Sequence, residues 1–229
     1  MITFEERVKI MITYENIKNS PEIRAYITRA DQSLNAMGYT EHSFPHVMKV
    51  ADTASKILKD LGASERDQEL AKIAGYMHDI GNLVNRADHS QSGAILAFRI
   101  LEKMGMDPEE IATVVTAIGN HDEGTGIAVN PVAAALILAD KSDVRSSRVR
   151  NSDPATFDIH DRVNGSVSHA TLTVSEDKTA ITLTLTIDTS ISPVIDYFQI
   201  FMGRMIMCKN AAQTLGLSFR LTVNGQSLM

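Results

Sequence analysis

The sequence predicts a mainly α protein: a bundle of six or seven helices over residues 1–150, then a small α+β region over residues 151–229. Three observations predict it. Apolar residues through the first 150 positions recur every three or four residues, the period of a helix with one buried face. Several of these stretches begin with a capping side chain followed by proline. After residue 150 the apolar period drops to two, the period of a half-buried strand.

Helix starts are the best-marked features. Thr3 and Glu6 have capping-box spacing. Ser20-Pro21, Asp107-Pro108 and Asn130-Pro131 each set a capping oxygen before a proline at the first helical position, where a missing N–H costs nothing. The apolar faces follow in order. Val47, Val50, Ala54, Ile57 and Leu61 form one, and Leu70, Ile73 and Met77 the next. Ala94, Ile95, Phe98 and Leu101 come third, then Ile111, Val114, Val115 and Ile118, and last Val132, Leu136 and Ala139.

In the tail, Ile181, Leu183, Leu185 and Ile187 alternate with Thr182, Thr184 and Thr186, which marks a strand. VSHATLTV is its expected partner, joined through the SEDK turn. Ser192-Pro193 opens a long helix bearing Val194, Ile195, Phe198, Met202, Met205 and Ile206, with a stop expected near Gly216. LSFRLTV, alternating Phe219, Leu221 and Val223, closes the chain as a last strand. The expected tail is therefore ββαβ, a sheet with a helix over one face.

Composition narrows the function. The 229 residues are 44% hydrophobic and 22% charged, which suits an ordinary buried core. A net charge of −6 argues against nucleic acid or an anionic membrane as the main partner. No run approaches the roughly 20 apolar residues of a membrane-spanning helix. MITFEERVKI lacks the basic end and apolar stretch of a signal peptide. Cys208 is the single cysteine, so no intrachain disulfide forms, and a cytoplasmic location is the expectation.

The chemistry gathers in the helical region. His42, His46, His78, His89 and His121 all fall there, while His160 and His169 lie outside it. One inward histidine on a helix is ordinary core. Several beside an inward carboxylate are not. His46 shares a face with Val50, Ile57 and Leu61; His78 follows the small residues Ala71 and Ala74; Asp140 follows Val132 and Leu136. Neutral imidazoles with a carboxylate to offset charge are what a divalent transition metal requires.

HVMKVAD at His46, AGYMHDIGN at His78 and Asp79, and LILADKSDV at Asp140 together resemble the metal-binding motifs of the HD-domain phosphohydrolase superfamily, over residues 40–145. HSQSGAIL from His89 and GNHDEGTG at His121 resemble the segments that carry two further histidines in its binuclear branch. The resemblance implies an HD-type helical bundle holding one or two divalent ions of iron, manganese, nickel, cobalt or zinc. It assigns one metal to His46, His78, Asp79 and Asp140, and a second to Asp79, His89 and His121. It implies hydrolysis of a phosphate ester by a metal-activated water. Asp79 would bridge the metals, Asp143 would orient a ligand or the water, and Lys141 and Arg145 would meet the phosphate. The expected partner is a small phosphorylated substrate, with nucleotides among the candidates.

Two departures qualify the resemblance. Asn82 stands where much of the family has lysine, so Arg86, Lys141, Arg145 or Arg148 must supply that charge. The turn after His121 lacks the second histidine and the GYP ending of cyclic-di-GMP phosphodiesterases, so that substrate is not implied. Asp122 and Glu123 in this turn are further carboxylate candidates. His42 has two readings, pocket lining or helix cap. Two rival functions share the ligand order: a di-iron oxygenase resembling inositol oxygenase, and a sensory HD module without catalysis. The tail has three readings: pairing across a homodimer, binding a regulator, or covering the helical core.

Overall fold

The computed structural model describes residues 11–228, so the Thr3 and Glu6 pair lies outside the described residues. Seven described helices precede residue 150: α1 (Tyr14–Lys18), α2 (Pro21–Ala36), α3 (Phe44–Leu61), α4 (Glu65–Met77), α5 (His89–Met104), α6 (Pro108–Gly119) and α7 (Pro131–Lys141). The three proline starts form as expected. Ser20 accepts from Ile23 N, Asp107 from Glu109 N and Asn130 from Ala133 N, each with proline in the first turn. Helices α3 and α5 end at Gly62 and Gly105, whose φ values of 86° and 83° are the left-handed cap that glycine adopts without strain.

Helix α7 is the axis of the bundle. Residues Val132 to Ala139 are all buried, against α3, α4 and α6 on one side and against the tail on another. A helix that is apolar all round must be enclosed by other elements. Helix α3 lies along α4 at a distance only glycine permits, since a Cβ on Gly75 would sit 2.7 Å from Ala51 Cα. Beyond α4, one 3-10 turn (Ile80–Leu83) presses on the start of α5. There a Cβ on Gly81 would fall 1.9 Å from His89 O. These two close approaches bring His46, His78 and His89 toward one place.

The tail holds the expected ββαβ order and adds an element at each end. Helix α8 (Ile159–Ser166) precedes β1 (Val167–Val174) and β2 (Ala180–Ile187); α9 (Val194–Thr214), β3 (Ser218–Val223) and the two-residue β4 (Gln226–Ser227) follow. The sheet order is β1-β2-β3-β4, antiparallel except for the parallel β2–β3 pair that α9 connects. Pro193 stands at the N-cap of α9, so the helix begins at Val194, one position later than the Ser192-Pro193 pair predicts. Helix α9 packs on β2 and β3 and also on α7, and most of the buried apolar residues form one continuous cluster from Ile12 to Val223. No described helix is long and apolar enough to cross a membrane.

Candidate metal centre

The six proposed ligands sit at helix ends, where a short side chain can turn toward a shared point. His46 is in the first turn of α3 and His78 caps the C-terminus of α4, with Asp79 directly after it. His89 opens α5, His121 follows α6, and Asp140 is in the last turn of α7. His46 and His78 are both 0% exposed. The structure brings all six together.

The four imidazoles share one orientation. His78 Nδ1 donates to Gly75 O at 2.8 Å, His121 Nδ1 to Ile118 O at 2.6 Å, and His89 Nδ1 to Arg86 O at 3.1 Å. His46 Nδ1 donates to Asp143 Oδ2 at 2.8 Å. A carbonyl or carboxylate oxygen can only accept, so Nδ1 carries the proton and Nε2 presents its lone pair inward. The Nε2 atoms of His46 and His78 are buried and make no hydrogen bond. A buried polar atom without a partner is costly, and here two face the same pair of carboxylates, Asp79 and Asp140. The Nε2 atoms of His89 and His121 face each other at 3.1 Å. Two lone pairs at that distance repel unless a cation lies between them. The spacing matches two imidazoles on one ion with bonds of about 2.0–2.1 Å.

Asp79 divides its carboxylate between the histidines. Oδ2 lies 3.2 Å from His78 Nε2 and 3.6 Å from His46 Nε2. Oδ1 lies 3.5 Å from His89 Nε2 and 3.9 Å from His121 Nε2. Asp140 Oδ1 completes the first side, 3.3 Å from His46 Nε2 and 3.6 Å from His78 Nε2. Ligand atoms lie close enough for one ion in two buried groups, His46–His78–Asp140 and His78–Asp79–His121. The second differs from the sequence expectation by including His78. Asn82 Nδ2, in the position where lysine was expected, donates to Asp79 Oδ1 at 3.0 Å and fixes that carboxylate. Asp122 Oδ1 stands 4.0 Å from His89 Nε2, at the edge of the group.

The protonation pattern is that of a site poised for cations. Burial would raise Asp79 and Asp140, yet His78 beside the first and Lys141 beside the second hold both well below the usual carboxylate range. Burial pushes His121 down to about 3, with His78 and Lys141 adding to it. Burial also opposes charge on His78, but the Asp79 and Asp140 carboxylates outweigh it and lift that imidazole to about 10. Four imidazoles around two carboxylates therefore attract one positive charge to the centre, and a proton on His78 occupies the place a metal would take.

A cavity of about 360 Å³ opens beside the centre. Asp79, His89, His121 and Asp140 line it, together with the cations Arg86, Lys141, Arg148 and Arg204. His42 lines it too, and its Nδ1 donates to Thr40 O at 2.7 Å. Arg145 does not line it, which corrects the expectation that it meets the phosphate. Asp143 does not line it either, and of its two expected roles, orienting a ligand or the water, its contact is with the ligand His46. Arg145 is taken up by Asp143 Oδ1 at 3.0 Å and Glu41 Oε2 at 3.3 Å. Sequence reasoning missed the wall supplied by the tail: His160 and Asn164 of α8, and Phe201 and Arg204 of α9. The available signal was a lone arginine inside an apolar helix.

Asp143 acts through His46. Besides that imidazole, it accepts from Lys49 Nζ at 2.8 Å. Arg148 Nη1 donates to the Asp143 carbonyl at 2.8 Å. Burial would raise its carboxyl, but the His46 hydrogen bond and these cations hold it far below the usual range. Asp143→Ala is expected to weaken metal affinity about 10–100-fold, the usual cost of losing a group that orients a ligand. Metal titration of the variant checks this, and unchanged affinity would show that His46 needs no anchor.

The HD domain model matches residues 44–148. Among curated proteins, the chain is 29% identical over 192 residues to an uncharacterized protein of Methanocaldococcus jannaschii, covering 73% of each. It is 32% identical over 120 residues to ribonuclease Y 1 of Pediococcus pentosaceus and 30% identical over 116 residues to ribonuclease Y of Bacillus subtilis. Both matches cover 49% of this chain but only 21% of the ribonuclease. Among solved structures, a protein described as a predicted HD superfamily hydrolase from an uncultured Thermotogales bacterium aligns at 24% identity with a TM-score of 0.41. That alignment covers 58% of this chain and 74% of the other.

Proposed function

We propose that this chain, whose residues 44–148 match the HD domain model, hydrolyses the phosphate ester of a small organic phosphate at a divalent-metal centre. One observation supports this most: four imidazoles, all anchored through Nδ1, aim Nε2 at the two oxygens of a single buried carboxylate, Asp79. His46, His78 and Asp140 would hold one ion and His89 and His121 another, with Asp79 shared. Bound there, divalent ions would supply Lewis acidity and a water acidified toward neutral pH.

The protein's own residues do the rest. Asn82 and Asp143 fix the directions of Asp79 and His46. Arg86, whose Nη1 donates to Asn82 Oδ1 at 3.3 Å, stands at the cavity beside the centre and takes the place of the absent lysine as a phosphate-facing cation. Lys141 Nζ, 2.8 Å from Asp140 Oδ2, steadies that carboxylate. Cys208 is buried, and its thiol is pushed up to about 12 by burial, so it carries no nucleophilic role.

A phosphodiester of RNA is the second reading, favoured by the similarity to ribonuclease Y over about half of this chain. The cavity's volume of about 360 Å³ and the net charge of −6 favour a small substrate. The test is phosphate release under anaerobic conditions from a panel of phosphomonoesters and nucleotides, with an RNA oligonucleotide in parallel and manganese, cobalt, nickel, iron or zinc supplied. Release from small esters, fastest near or above neutral pH, is the expected result. Cleavage of RNA alone would move the assignment to a nuclease. Substrate-dependent oxygen uptake in air without phosphate release would point to an oxygenase.

A further inference from the structure

Helix α9 brings a cation to the cavity from outside the matched segment. Arg204 stacks its guanidinium on the Phe201 ring, 4.3 Å from the centroid, and donates from Nε to Glu123 Oε1 at 2.7 Å. Its Nη1 and Nη2 groups make no hydrogen bond among the described residues. The same Glu123 oxygen lies 3.7 Å from Lys141 Nζ. A carboxylate on the turn after His121 is thus held between two cations at the cavity wall.

The three side chains differ in freedom. Glu123 is 34% exposed, whereas Lys141 is 6% exposed and Arg204 is stacked. Glu123 can turn out to solvent while the cations stay. Arginine and lysine side chains lining the cavity equal its carboxylates in number, so the departure of Glu123 leaves positive charge in excess.

We propose that Lys141 and Arg204 form a second anion subsite in which Glu123 is the resident stand-in, and that the preferred substrate is a phosphate ester bearing a second anionic group. An incoming anion exchanges with Glu123, so neither cation passes through an unpaired, desolvated state. The open fork of Nη1 and Nη2 suits a phosphate or carboxylate. A substrate with one anionic group leaves Glu123 in place and gains nothing there. The inference rests on the hydrolase reading for the first phosphate, and the subsite itself is a statement about binding.

The experiment separates the two. Alkanediol bisphosphates and the matched alkyl monophosphates are titrated calorimetrically into metal-loaded wild-type protein, Arg204→Ala, Arg204→Lys and Glu123→Gln, with phosphate release followed in parallel. The readout is the ratio of monophosphate to bisphosphate dissociation constants. In wild type it should reach about tenfold or more for at least one spacer length, the scale of a charge-assisted hydrogen-bond pair. It should fall toward one in Arg204→Ala, keep part of its value in Arg204→Lys and rise in Glu123→Gln. A ratio near one in wild type, or one unchanged by Arg204→Ala at matched circular dichroism and metal content, overturns the subsite. Should Arg204→Ala misfold, Glu123→Gln decides, because a ratio that fails to rise there also overturns it. An Arg204-dependent ratio without phosphate release keeps the subsite and removes the hydrolase reading. Release without any ratio does the reverse.

Discussion

Asp79→Ala is expected to lose most bound metal and to lower phosphate release by at least about 10³-fold, the scale on which a preorganised electrostatic group acts in catalysis. The variant loses the anion toward which four imidazoles converge, since Oδ2 serves the His46 and His78 side and Oδ1 the His89 and His121 side. It also leaves Asn82 Nδ2 without its side-chain acceptor. Elemental analysis of the purified variant, with kcat/KM on the best ester, measures both effects. Full metal occupancy in Asp79→Ala would sink the shared-ligand assignment. His89→Ala and His121→Ala should each lose only part of the metal, because His46, His78, Asp79 and Asp140 remain. If both leave stoichiometry and rate unchanged, one ion does the work.

The second large effect is on stability, and it should change with pH. Metal held only by the folded chain stabilises it by about 2.7 kcal/mol at 100-fold excess over Kd. For a chain of this size that raises Tm by about 5–11 °C. Without metal, the raised pKa of His78 means the folded chain binds more protons than the unfolded one between pH 6.5 and about 10. That contribution is complete below pH 6.5 and is lost as pH rises toward 10. His121 works in the opposite window: depressed from 6.5 to about 3, it costs stability as pH falls through that range. A metal must displace the His78 proton, so its stabilisation should grow with pH. The expected result is a Tm difference between metal-loaded and chelated protein that is small at pH 6 and several-fold larger at pH 8. A pH-independent gap, or none after verified metal removal, would count against a buried imidazole site.

What the sequence showed followed from how local each signal is. Ser20-Pro21, Asp107-Pro108 and Asn130-Pro131 mark helix starts because cap and proline act within one turn. Strand β2 was legible because its threonines alternate with buried Ile181, Leu183 and Leu185. Helix α8 was not, since IHDRVNGS has no apolar period and leans on the Asp158 cap, and β4 is too short to have one. Inward-facing positions marked His46, His78 and Asp140, whereas Asp79, His89 and His121 joined them only through the resemblance of their motifs. The roles of the cations were not legible. Arg145 and Arg204 are alike as letters, and only the fold shows that one is tied to Asp143 and Glu41 while the other borders the cavity. Periodicity did not report which face of α9 is buried: Ile195, Met202 and Ile206 are exposed, while Tyr197, Phe201, Cys208 and Ala211 face the core.

The anchors of the four imidazoles differ in how they can be inherited. Those of His78, His89 and His121 are the main-chain carbonyls of Gly75, Arg86 and Ile118. Every amino acid carries that oxygen, so no single codon change can delete it while the helix ends stay in place. The anchor of His46 is the side chain of Asp143, and any substitution there alters it. Random mutation therefore reaches the tautomer and basicity of one ligand far more easily than those of the other three. Among descendants of this gene, drift in metal preference should enter through codon 143, while the other three rings keep their orientation under heavy sequence change.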